Sequence, residues 1–406
     1  MFDIHFSTEI TTITNNFNLI YSIIKLGGKP MRFKVLITAF VDAIDNVSRA
    51  LSTKTPMPIL KAIKLDVTEE GIYLTASNAN ITIKQFLSAT QDGKQIMDIE
   101  ETGSAAIPGR LLFEVLRKAH EEYVELALFE DKVVKITFGN SEYTLNCFDV
   151  REYPNITLIN SEEPIIIKAR ELFDVINQTV ISVSTNESRP ILTGVNVVVE
   201  NDELVCVATD SYRLSRKIVT LNQGPTEPVN IIVPGKSLQE LSRILDDFKE
   251  DVEVHITPNM IAFKFDHLIF QSRLISGKYP DTKRLIPEKF GLELTINRSD
   301  LIDVIDRVSL LSREGASNII KFDIYEDKTI VSLDSPEIGK VTEEIIPKHQ
   351  SGSLIRIGFN SKYLLDALRV LDDEEVTLKF TGEVRPFIIE TSDVTVTQLI
   401  LPVRIE

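Results

Sequence analysis

The sequence contains few of the side chains on which metal and redox sites depend. Its 406 residues include two cysteines, Cys147 and Cys206, and five histidines. Neither set has the spacing of metal ligands, and no glycine-rich phosphate loop or nucleophile elbow is present. The two cysteines predict buried, reduced thiols of a cytoplasmic protein. We therefore expect no metal site and no cofactor.

Long hydrophobic runs are also absent, and none approaches the roughly 18 residues that a membrane span needs. Charge is unbalanced, with 60 acidic residues against 44 basic residues and a formal net charge of −16. Bulk acidity repels phosphate, which argues against a protein coated in nucleic acid. It does not exclude a protein that keeps its positive charge on a single surface.

Residues 1–30 stand outside the repeat described below. Their apolar stretch at 17–24 has no basic flank before it and no small-residue cleavage site, so a secretory signal is not expected. Gly27 and Gly28 lie shortly before Met31, and glycine codons can spell a ribosome-binding sequence. We expect residues 1–30 to be an N-terminal extension that is not native or is disordered, with Met31 as the true start.

Pairs of basic residues seven positions apart recur along the chain at an interval of 126 residues. A period of this length is that of a whole domain, which predicts one domain copied three times. Copy one begins at Met31, and the other boundaries fall after Tyr153-Pro154 and Tyr279-Pro280, giving copies at 31–158, 159–288 and 289–406. The basic pairs are Arg110 and Arg117, Lys236 and Arg243, and Lys362 and Arg369.

Apolar residues have helical spacing once in each half of each copy, and alternating segments typical of strands follow. In copy two, Leu238, Leu241 and Ile244 form one face of a helix, with Lys236 and Arg243 on the other side. Each copy therefore reads as β-α-β-β-β twice, with two helices on one face of antiparallel strands. This is an α+β fold. Candidate N-caps of the first helices are Thr38 in copy one and Ser299 or Asp300 in copy three.

The retained basic residues are the best indication of function. Solvated helix faces are the ordinary interpretation, and shared ancestry makes the three copies non-independent. Strong net acidity nevertheless coexists with positive charge at both positions in every copy. If all helices lie on one side of a curved array of sheets, that side would hold DNA backbone without reading bases. The DNA-facing candidates are Arg49, Lys54, Arg110, Arg117, Arg189, Lys236, Arg243, Lys362 and Arg369.

Paired carboxylates such as Asp246-Asp247 and Asp372-Asp373 follow the second helices. Such pairs can hold Mg²⁺, and a metal-dependent nuclease is one interpretation. They occur at the same place in the copies, in predicted turns, which favours solvated turn charge. No copy has acquired a catalytic constellation, so we expect a protein that is not an enzyme.

Several stretches match a known family. They are Pro56-Met57-Pro58-Ile59-Leu60, Ser188-Arg189-Pro190-Ile191-Leu192-Thr193-Gly194, Ala208-Thr209-Asp210-Ser211-Tyr212-Arg213-Leu214, Tyr279-Pro280-Asp281 and Leu401-Pro402-Val403-Arg404. With them, residues 31–406 resemble the β sliding clamps of bacterial DNA polymerase III holoenzyme. The resemblance implies three repeated DNA clamp domains per subunit and a head-to-tail homodimer that closes a ring. Helices would line the hole and antiparallel sheets would form the outer face.

The resemblance also implies partners: double-stranded DNA bound without sequence preference, the replicative polymerase alpha subunit, the clamp loader, and other polymerases and repair proteins. The implied role is that of a non-catalytic processivity factor near the nucleoid, with no membrane contact. The head-to-tail interface would join Tyr143 and Leu145 to Leu310 and Leu311. Ser211 and Tyr212 replace a Gly-His pair common in some members, which leaves partner preference open.

Partner proteins of this family insert a short peptide, carrying a glutamine and large apolar residues, into a hydrophobic pocket of the second and third domains. The chemistry is reasonable, because apolar walls bury the anchors and a few polar groups fix their orientation. The matching positions are Leu192, Thr209, Ser211, Tyr212, Arg213, Leu214, Pro280, Arg284, Leu285, Val384, Pro386, Leu399, Ile400, Leu401, Pro402, Val403 and Arg404.

A second interpretation is a three-repeat scaffold that binds peptides or acidic ligands without encircling DNA. The two hypotheses differ in oligomeric state and in DNA topology. A clamp is a dimer that stays on circular DNA and slips off linear DNA.

Overall fold

The structure is a computed structural model that describes residues 31–52, 55–246, 248, 250–313 and 318–405. The expectation for residues 1–30 and the candidate Lys54 lie outside these described residues. The chain forms two compact units. Unit 1 contains residues 31–159 together with 262–272, and unit 2 contains the rest of the described chain.

Copy one contains two helices, α1 (Ile37–Ser48) and α2 (Gly109–Leu116). Its strands are β1 (Met31–Leu36), β2 (Ala62–Val67), β3 (Gly71–Ser77), β4 (Ile81–Ser88), β5 (Thr90–Gln91), β6 (Lys94–Gln95), β7 (Met97–Glu101), β8 (Gly103–Pro108), β9 (Tyr123–Phe129), β10 (Val133–Phe138) and β11 (Ser141–Asn146).

Copy two contains α3 (Ala169–Val180) and α4 (Gly235–Leu245). Its strands are β12 (Ile165–Lys168), β13 (Gly194–Glu200), β14 (Glu203–Thr209), β15 (Arg213–Thr220), β16 (Val229–Pro234), β17 (Asp251–Ile256), β18 (Met260–Phe265) and β19 (Leu268–Arg273).

Copy three contains α5 (Arg298–Val308), the short α6 (Leu310–Arg313) and α7 (Ser361–Arg369). Its strands are β20 (Leu292–Asn297), β21 (Ile319–Ile324), β22 (Thr329–Ser335), β23 (Gly339–Ile345), β24 (His349–Gly352), β25 (Arg356–Asn360), β26 (Glu375–Phe380), β27 (Phe387–Glu390) and β28 (Val396–Ile400).

The order of these elements confirms the predicted α+β repeat. Copy two reads β12-α3-β13-β14-β15 and then β16-α4-β17-β18-β19, which is β-α-β-β-β twice. Copies one and three follow the same plan and add elements between the halves: β5, β6 and β7 in copy one, and β24 in copy three. Copy three also carries α6 directly after its first helix.

The strands pair in antiparallel ladders. Unit 1 contains a five-stranded sheet in the order β11-β10-β9-β1-β7 and a sheet in which β19, β4, β3, β2 and β8 are neighbours. Unit 2 contains a four-stranded sheet, β23-β22-β21-β25, and a nine-stranded sheet, β16-β13-β14-β15-β28-β27-β26-β20-β24. The nine-stranded sheet joins copies two and three, because β15 pairs with β28 from Arg213 opposite Ile400 to Lys217 opposite Val396.

The helices cover the sheets with their apolar faces. In α4, Leu238, Leu241 and Ile244 are buried as predicted, and in α1 Phe40 and Ile44 are fully buried. Burying one such side chain stabilises a fold by about 1.5–3 kcal/mol, so these faces hold the helices in place. None of the helices in the described part of the chain has the length and apolar composition needed to cross a bilayer.

The predicted N-caps were wrong. Helix α1 follows Leu36, which makes no side-chain cap, so Thr38 lies inside the first turn. Helix α5 is capped by Asn297, whose side chain accepts hydrogen bonds from the amides of Ser299 and Asp300. The backbone of Asn297 is extended, as is typical of an N-cap residue. Ser299 and Asp300, the predicted caps, instead donate their backbone amides to its side chain.

Candidate functional site

A tight turn between β14 and β15 begins the first candidate site. The Asp210 carboxylate accepts hydrogen bonds from the amides of Tyr212 (2.9 Å) and Arg213 (3.0 Å). The Thr209 hydroxyl donates to the Arg213 carbonyl at 2.6 Å, while Ser211 has a φ of +81°. Short polar side chains that bond to the nearby backbone are typical of such turns. The turn directs the chain back so that Leu214, the second residue of β15, lies opposite Leu399 of β28.

Tyr279 holds this turn from the other side. Its hydroxyl accepts the Thr209 amide at 3.0 Å, and burial raises the pKa of the phenol to about 12. Its ring packs with Leu192 and Ile232 in a small hydrophobic cluster. The next residue, Pro280, is exposed and borders the cavity described below.

These elements surround a cavity of about 460 Å³ within unit 2, which we call the peptide cavity. Its wall is largely apolar, and a few polar side chains interrupt it. This combination suits a ligand with apolar anchors. The residues predicted from the resemblance that line it are Leu192, Thr209, Ser211, Arg213, Leu214, Pro280, Leu285, Pro386, Leu399 and Leu401.

Other predicted pocket residues lie elsewhere. Tyr212, Pro402, Val403 and Arg404 line a neighbouring cleft of about 640 Å³ that shares Leu401 with the peptide cavity. Arg284 and Val384 are exposed outside the peptide cavity.

Ile400 does not reach the cavity. It belongs to the buried core of copy three, because successive residues of a strand point to opposite faces and Leu399 takes the cavity side.

The end of the described chain is held against this site. The Leu401 amide donates to the Tyr212 carbonyl at 2.9 Å, and the Val403 amide donates to the Gly358 carbonyl at 2.7 Å. These two hydrogen bonds place the segment after β28 between the turn of copy two and β25 of copy three. The segment therefore contributes to both cavities.

The basic pairs occupy equivalent places on the second helices. Each helix begins directly before the first member, and the second member lies at or near its end. Arg110, Lys236, Arg243, Lys362 and Arg369 each expose more than half of the side chain. Arg117 is also exposed, and its guanidinium lies 5.7 Å from the centre of the Phe113 ring. The basic and apolar faces therefore separate as predicted.

Nearby carboxylates pair with most of these basic residues. Exposed pairs of this kind contribute little to stability and leave the cations able to exchange partners. Among the described residues, no carboxylate lies within ion-pair distance of Arg117. The pairs are Arg110–Glu114 at 3.0 Å, Lys236–Glu187 at 3.7 Å, Arg243–Glu240 at 3.0 Å, Lys362–Asp366 at 2.7 Å and Arg369–Asp306 at 2.8 Å.

The first helix of copy one and the segment before Pro190 do not carry an exposed basic face like that of the second helices. Helix α1 carries Asp42 and Asp45 and no basic residue, and Arg49 beyond its end is paired with Asp45 at 2.8 Å. Arg189 lies in the wall of the peptide cavity. In copy one, the described candidate basic residues therefore lie beside the first helix or on and beside the second, and not within the first.

The four residues of the expected subunit interface differ in exposure. Tyr143 on β11 exposes 42 % of its surface and stacks on Phe138, and Leu310 in α6 exposes 52 %. Leu145 is buried, and Leu311 packs partly against the core of copy three. Tyr143 and Leu310 are thus the two that are available for contact.

Comparison with known proteins assigns the fold to one family. Models of the DNA polymerase III beta subunit match three consecutive segments: the N-terminal domain at 31–157, the central domain at 166–281 and the C-terminal domain at 283–404. The chain belongs to the DNA polymerase III beta subunit family. The predicted resemblance is confirmed.

Members of the beta subunit family resemble this chain over nearly its whole length. A curated beta sliding clamp from Staphylococcus aureus is 40 % identical over 375 residues, which cover 92 % of this chain and 99 % of that protein. The sliding clamp structure from Bacillus subtilis has a TM-score of 0.87 at 40 % identity, covering 93 % of this chain and 100 % of the other. The beta chain from Streptococcus pneumoniae has a TM-score of 0.85 at 36 % identity, covering 92 % and 100 %.

The beta subunit is the sliding-clamp processivity factor, a non-catalytic subunit of the polymerase, which agrees with the expectation that this protein is not an enzyme. Within the part of the chain that the structure describes, no three His, Cys, Asp or Glu side chains gather as metal ligands would. The shared architecture of beta subunits thus accounts for the three repeats.

Sequence reasoning missed three residues that line the peptide cavity: Ile191, Lys278 and Thr282. Each is next to, or close to, a stretch that carried the resemblance. Ile191 lies within the Pro190-Ile191-Leu192 stretch, and Lys278 and Thr282 flank Tyr279-Pro280-Asp281. Extending the Tyr279-Pro280-Asp281 stretch by one residue at each end would have found Lys278 and Thr282, and Ile191 was already within a matching stretch.

Tyr279→Phe is expected to lower the free energy of unfolding by about 1–3 kcal/mol, because the buried Thr209 amide loses its acceptor. The phenol also predicts a pH dependence. Its pKa is about 12 in the folded chain and roughly 10 when unfolded, so wild-type stability falls as the pH rises from 10 to 12. The variant loses less stability over this range.

Urea unfolding followed by circular dichroism at neutral and alkaline pH measures both effects. Tyr325→Phe, at a half-exposed tyrosine, is the control. Equal unfolding midpoints for Tyr279→Phe and wild type would show that the hydroxyl does not hold the turn.

Proposed function

We propose that this protein is a sliding clamp that encircles duplex DNA as a homodimeric ring. Each protomer supplies three clamp domains, 31–158, 159–288 and 289–406, with the helices towards the DNA and the sheets outward. The ring tethers the replicative polymerase to its template and so confers processivity. We place it in the cytoplasm, in association with the nucleoid.

The observation that carries this proposal is the exposed basic pair on the second helix of every copy. A chain with a formal net charge of −16 keeps cations at six equivalent positions on helices whose opposite faces are buried. Phosphate contacts without base contacts hold a duplex without fixing a position along it. That is the property a sliding ring needs.

Edge strands support a head-to-tail dimer. Strand β11, which carries Tyr143, lies at the edge of its five-stranded sheet, and β23, which contacts α6, lies at the edge of its four-stranded sheet. Edge strands present unpaired backbone groups that another chain can complete. Joining these two different surfaces is a heterologous contact, which closes into a ring when the rotation allows. We propose that Tyr143 and Leu310 meet there.

We propose that the peptide cavity captures the clamp-binding segments of partner proteins. Its apolar wall suits leucine-sized anchors, and Thr209, Arg213 and Arg189 provide polar groups for a glutamine side chain. The expected partners are the replicative polymerase alpha subunit, the clamp loader, and other polymerases and repair proteins. Because they share one cavity, they compete for it.

The test combines oligomeric state with DNA topology. Wild type is expected to be a dimer by light scattering and, once loaded, to stay on nicked circular DNA and be lost when the circle is linearised. Leu310→Asp is expected to give monomers, because it places a charge in the apolar contact proposed between the two protomers. These monomers should be retained on neither circular nor linear DNA.

Val394→Asp, at an exposed apolar residue of copy three between two strands of the nine-stranded sheet, is the matched control and should remain a retained dimer. A wild-type monomer, or equal retention on circular and linear DNA, would favour the open scaffold over the ring.

A further inference from the structure

One carboxylate oxygen joins the peptide cavity to the basic surface. Asp366 Oδ2 on α7 accepts a hydrogen bond from Arg213 Nη1 of copy two at 2.8 Å. The same oxygen accepts a hydrogen bond from Lys362 Nζ at 2.7 Å, one helical turn earlier on α7. Arg213 lines the peptide cavity, and Lys362 is a member of the basic pair of copy three. Two cations with different proposed roles thus share one acceptor.

Arg213 is held in place on several sides. Its Nε donates to Asp210 Oδ2 at 3.0 Å, and its guanidinium lies 4.5 Å from the centre of the Tyr363 ring. Only 11 % of its side chain is exposed, and Asp366 is 19 % exposed. Charge-assisted hydrogen bonds in such sheltered surroundings are stronger than in water and fix the orientation of the planar guanidinium. Asp366 therefore sets the position of a side chain in the cavity wall.

Lys362 is much less constrained. Its side chain is 65 % exposed, and it borders a cleft of about 510 Å³ that also contains Arg213 and Arg189. A carboxylate oxygen that serves two cations holds each of them less firmly than it would hold one. Any phosphate that attracts Lys362 therefore leaves Asp366 Oδ2 to Arg213 alone.

We infer that Asp366 is a positioning residue for the peptide cavity, and that Lys362 weakens this role by sharing the same oxygen. This inference rests on the proposed function, because it assumes that the cavity binds partner peptides and that Lys362 meets DNA phosphates. A phosphate at Lys362 then tightens Arg213 and raises peptide affinity. By thermodynamic linkage, a bound peptide raises the affinity of this surface for phosphate by the same factor.

The experiment measures binding of a fluorescent synthetic peptide, carrying a glutamine and leucines, to the full-length protein by anisotropy. Lys362→Met removes the competing cation and keeps the aliphatic stem, so it is expected to tighten binding about two- to fivefold. Asp366→Asn is expected to weaken it. In the double variant, the gain from Lys362→Met disappears, because the shared acceptor is gone.

Matched controls distinguish competition for the shared oxygen from a general effect of removing positive charge. Lys328→Met removes an exposed, ion-paired lysine of the same copy and should leave peptide affinity at the wild-type value. Raising the salt concentration should shrink the effect of Lys362→Met, because the exposed pair is screened. A structural role alone would not produce tighter binding or this salt dependence.

Three outcomes would overturn the inference. Equal affinity for Lys362→Met and wild type overturns it and leaves the proposed cavity intact. If Lys362→Met weakens peptide binding both in the wild-type background and in the Asp366→Asn background, the lysine contacts the peptide directly. Failure of the wild-type protein to bind the peptide rejects the proposed cavity itself, and the inference falls with it.

Discussion

Leu285→Asp is expected to lower the affinity of the peptide cavity for a partner peptide at least about tenfold and to remove polymerase stimulation. Leu285 lines the apolar wall of the cavity, and 52 % of it is exposed in the free protein. An aspartate there stays solvated when the cavity is empty, so the fold survives. Binding of an apolar anchor would strip water from the charge, and an apolar anchor supplies no cation to compensate it.

Val394→Asp is the matched control, because Val394 is an exposed apolar residue of the same unit with 79 % exposure and is not among the cavity residues. It should bind peptide and stimulate polymerase as wild type does. Peptide titrations and primer extension on a long template measure the two effects. Wild-type affinity in Leu285→Asp would show that partners bind elsewhere.

The sequence predicted the domain plan well because it depends on periodicity. Alternation and helical spacing each repeat six times in a chain of three copies, so an error in one segment is corrected by its equivalents. Helix ends were less predictable. The cap of α5 depends on where the backbone turns from extended to helical, and Asn297, Ser299 and Asp300 are all good capping residues by type.

The peptide cavity could not be assigned to one copy from the repeat pattern alone. Copy one contains the same turn as copy two: the Asn78 side chain accepts the amides of Asn80 and Ile81, as Asp210 does for Tyr212 and Arg213. Ala79 has the same left-handed backbone as Ser211. The turn alone therefore cannot tell which copy holds a binding cavity.

Side-chain volume distinguishes the two copies. In copy one, Ile156 packs against the cluster of Ile59, Leu60 and Tyr153. Thr282, which lies 126 residues later, lines the open peptide cavity instead. A threonine fills less apolar space than an isoleucine, and the effect on the cavity depends on packing between segments that are distant in sequence. Sequence periodicity does not contain that information.

The sequence predicted where the basic residues lie, but not which carboxylates pair with them. The spacing placed the six cations on exposed helix faces, and the structure agrees. It did not reveal that Asp306 and Asp366 would pair with Arg369 and Lys362. The Arg369–Asp306 pair depends on side-chain reach between α7 and α5, whereas Lys362 and Asp366 are four residues apart on α7. These ion pairs leave Arg117 as the member of the basic pairs without such a carboxylate among the described residues.

Reversing Arg117, Arg243 and Arg369 together to glutamate is expected to shorten retention on nicked circular DNA at least about tenfold while leaving the dimer intact. Each substitution replaces a phosphate-attracting charge with a repelling one on an exposed helix face, and none lies at the proposed interface. In a plot of the logarithm of DNA affinity against the logarithm of salt concentration, the steepness of the slope should fall by about one unit for each substituted side chain that contacts a phosphate. Among single variants, Arg117→Glu should lose most, because Arg243 and Arg369 must leave an ion pair before they reach DNA.

The matched control reverses one charge per copy on strands and loops, at Lys94, Arg273 and Lys289, and so changes net charge equally. If charge acts only in bulk, both triple variants lose retention to the same extent, and the basic surface has no special role. If the surface lines the passage for DNA, only the helix variant loses retention, and light scattering still finds a dimer. Retention half-life at several salt concentrations therefore tests whether these cations face the DNA, independently of whether the ring closes.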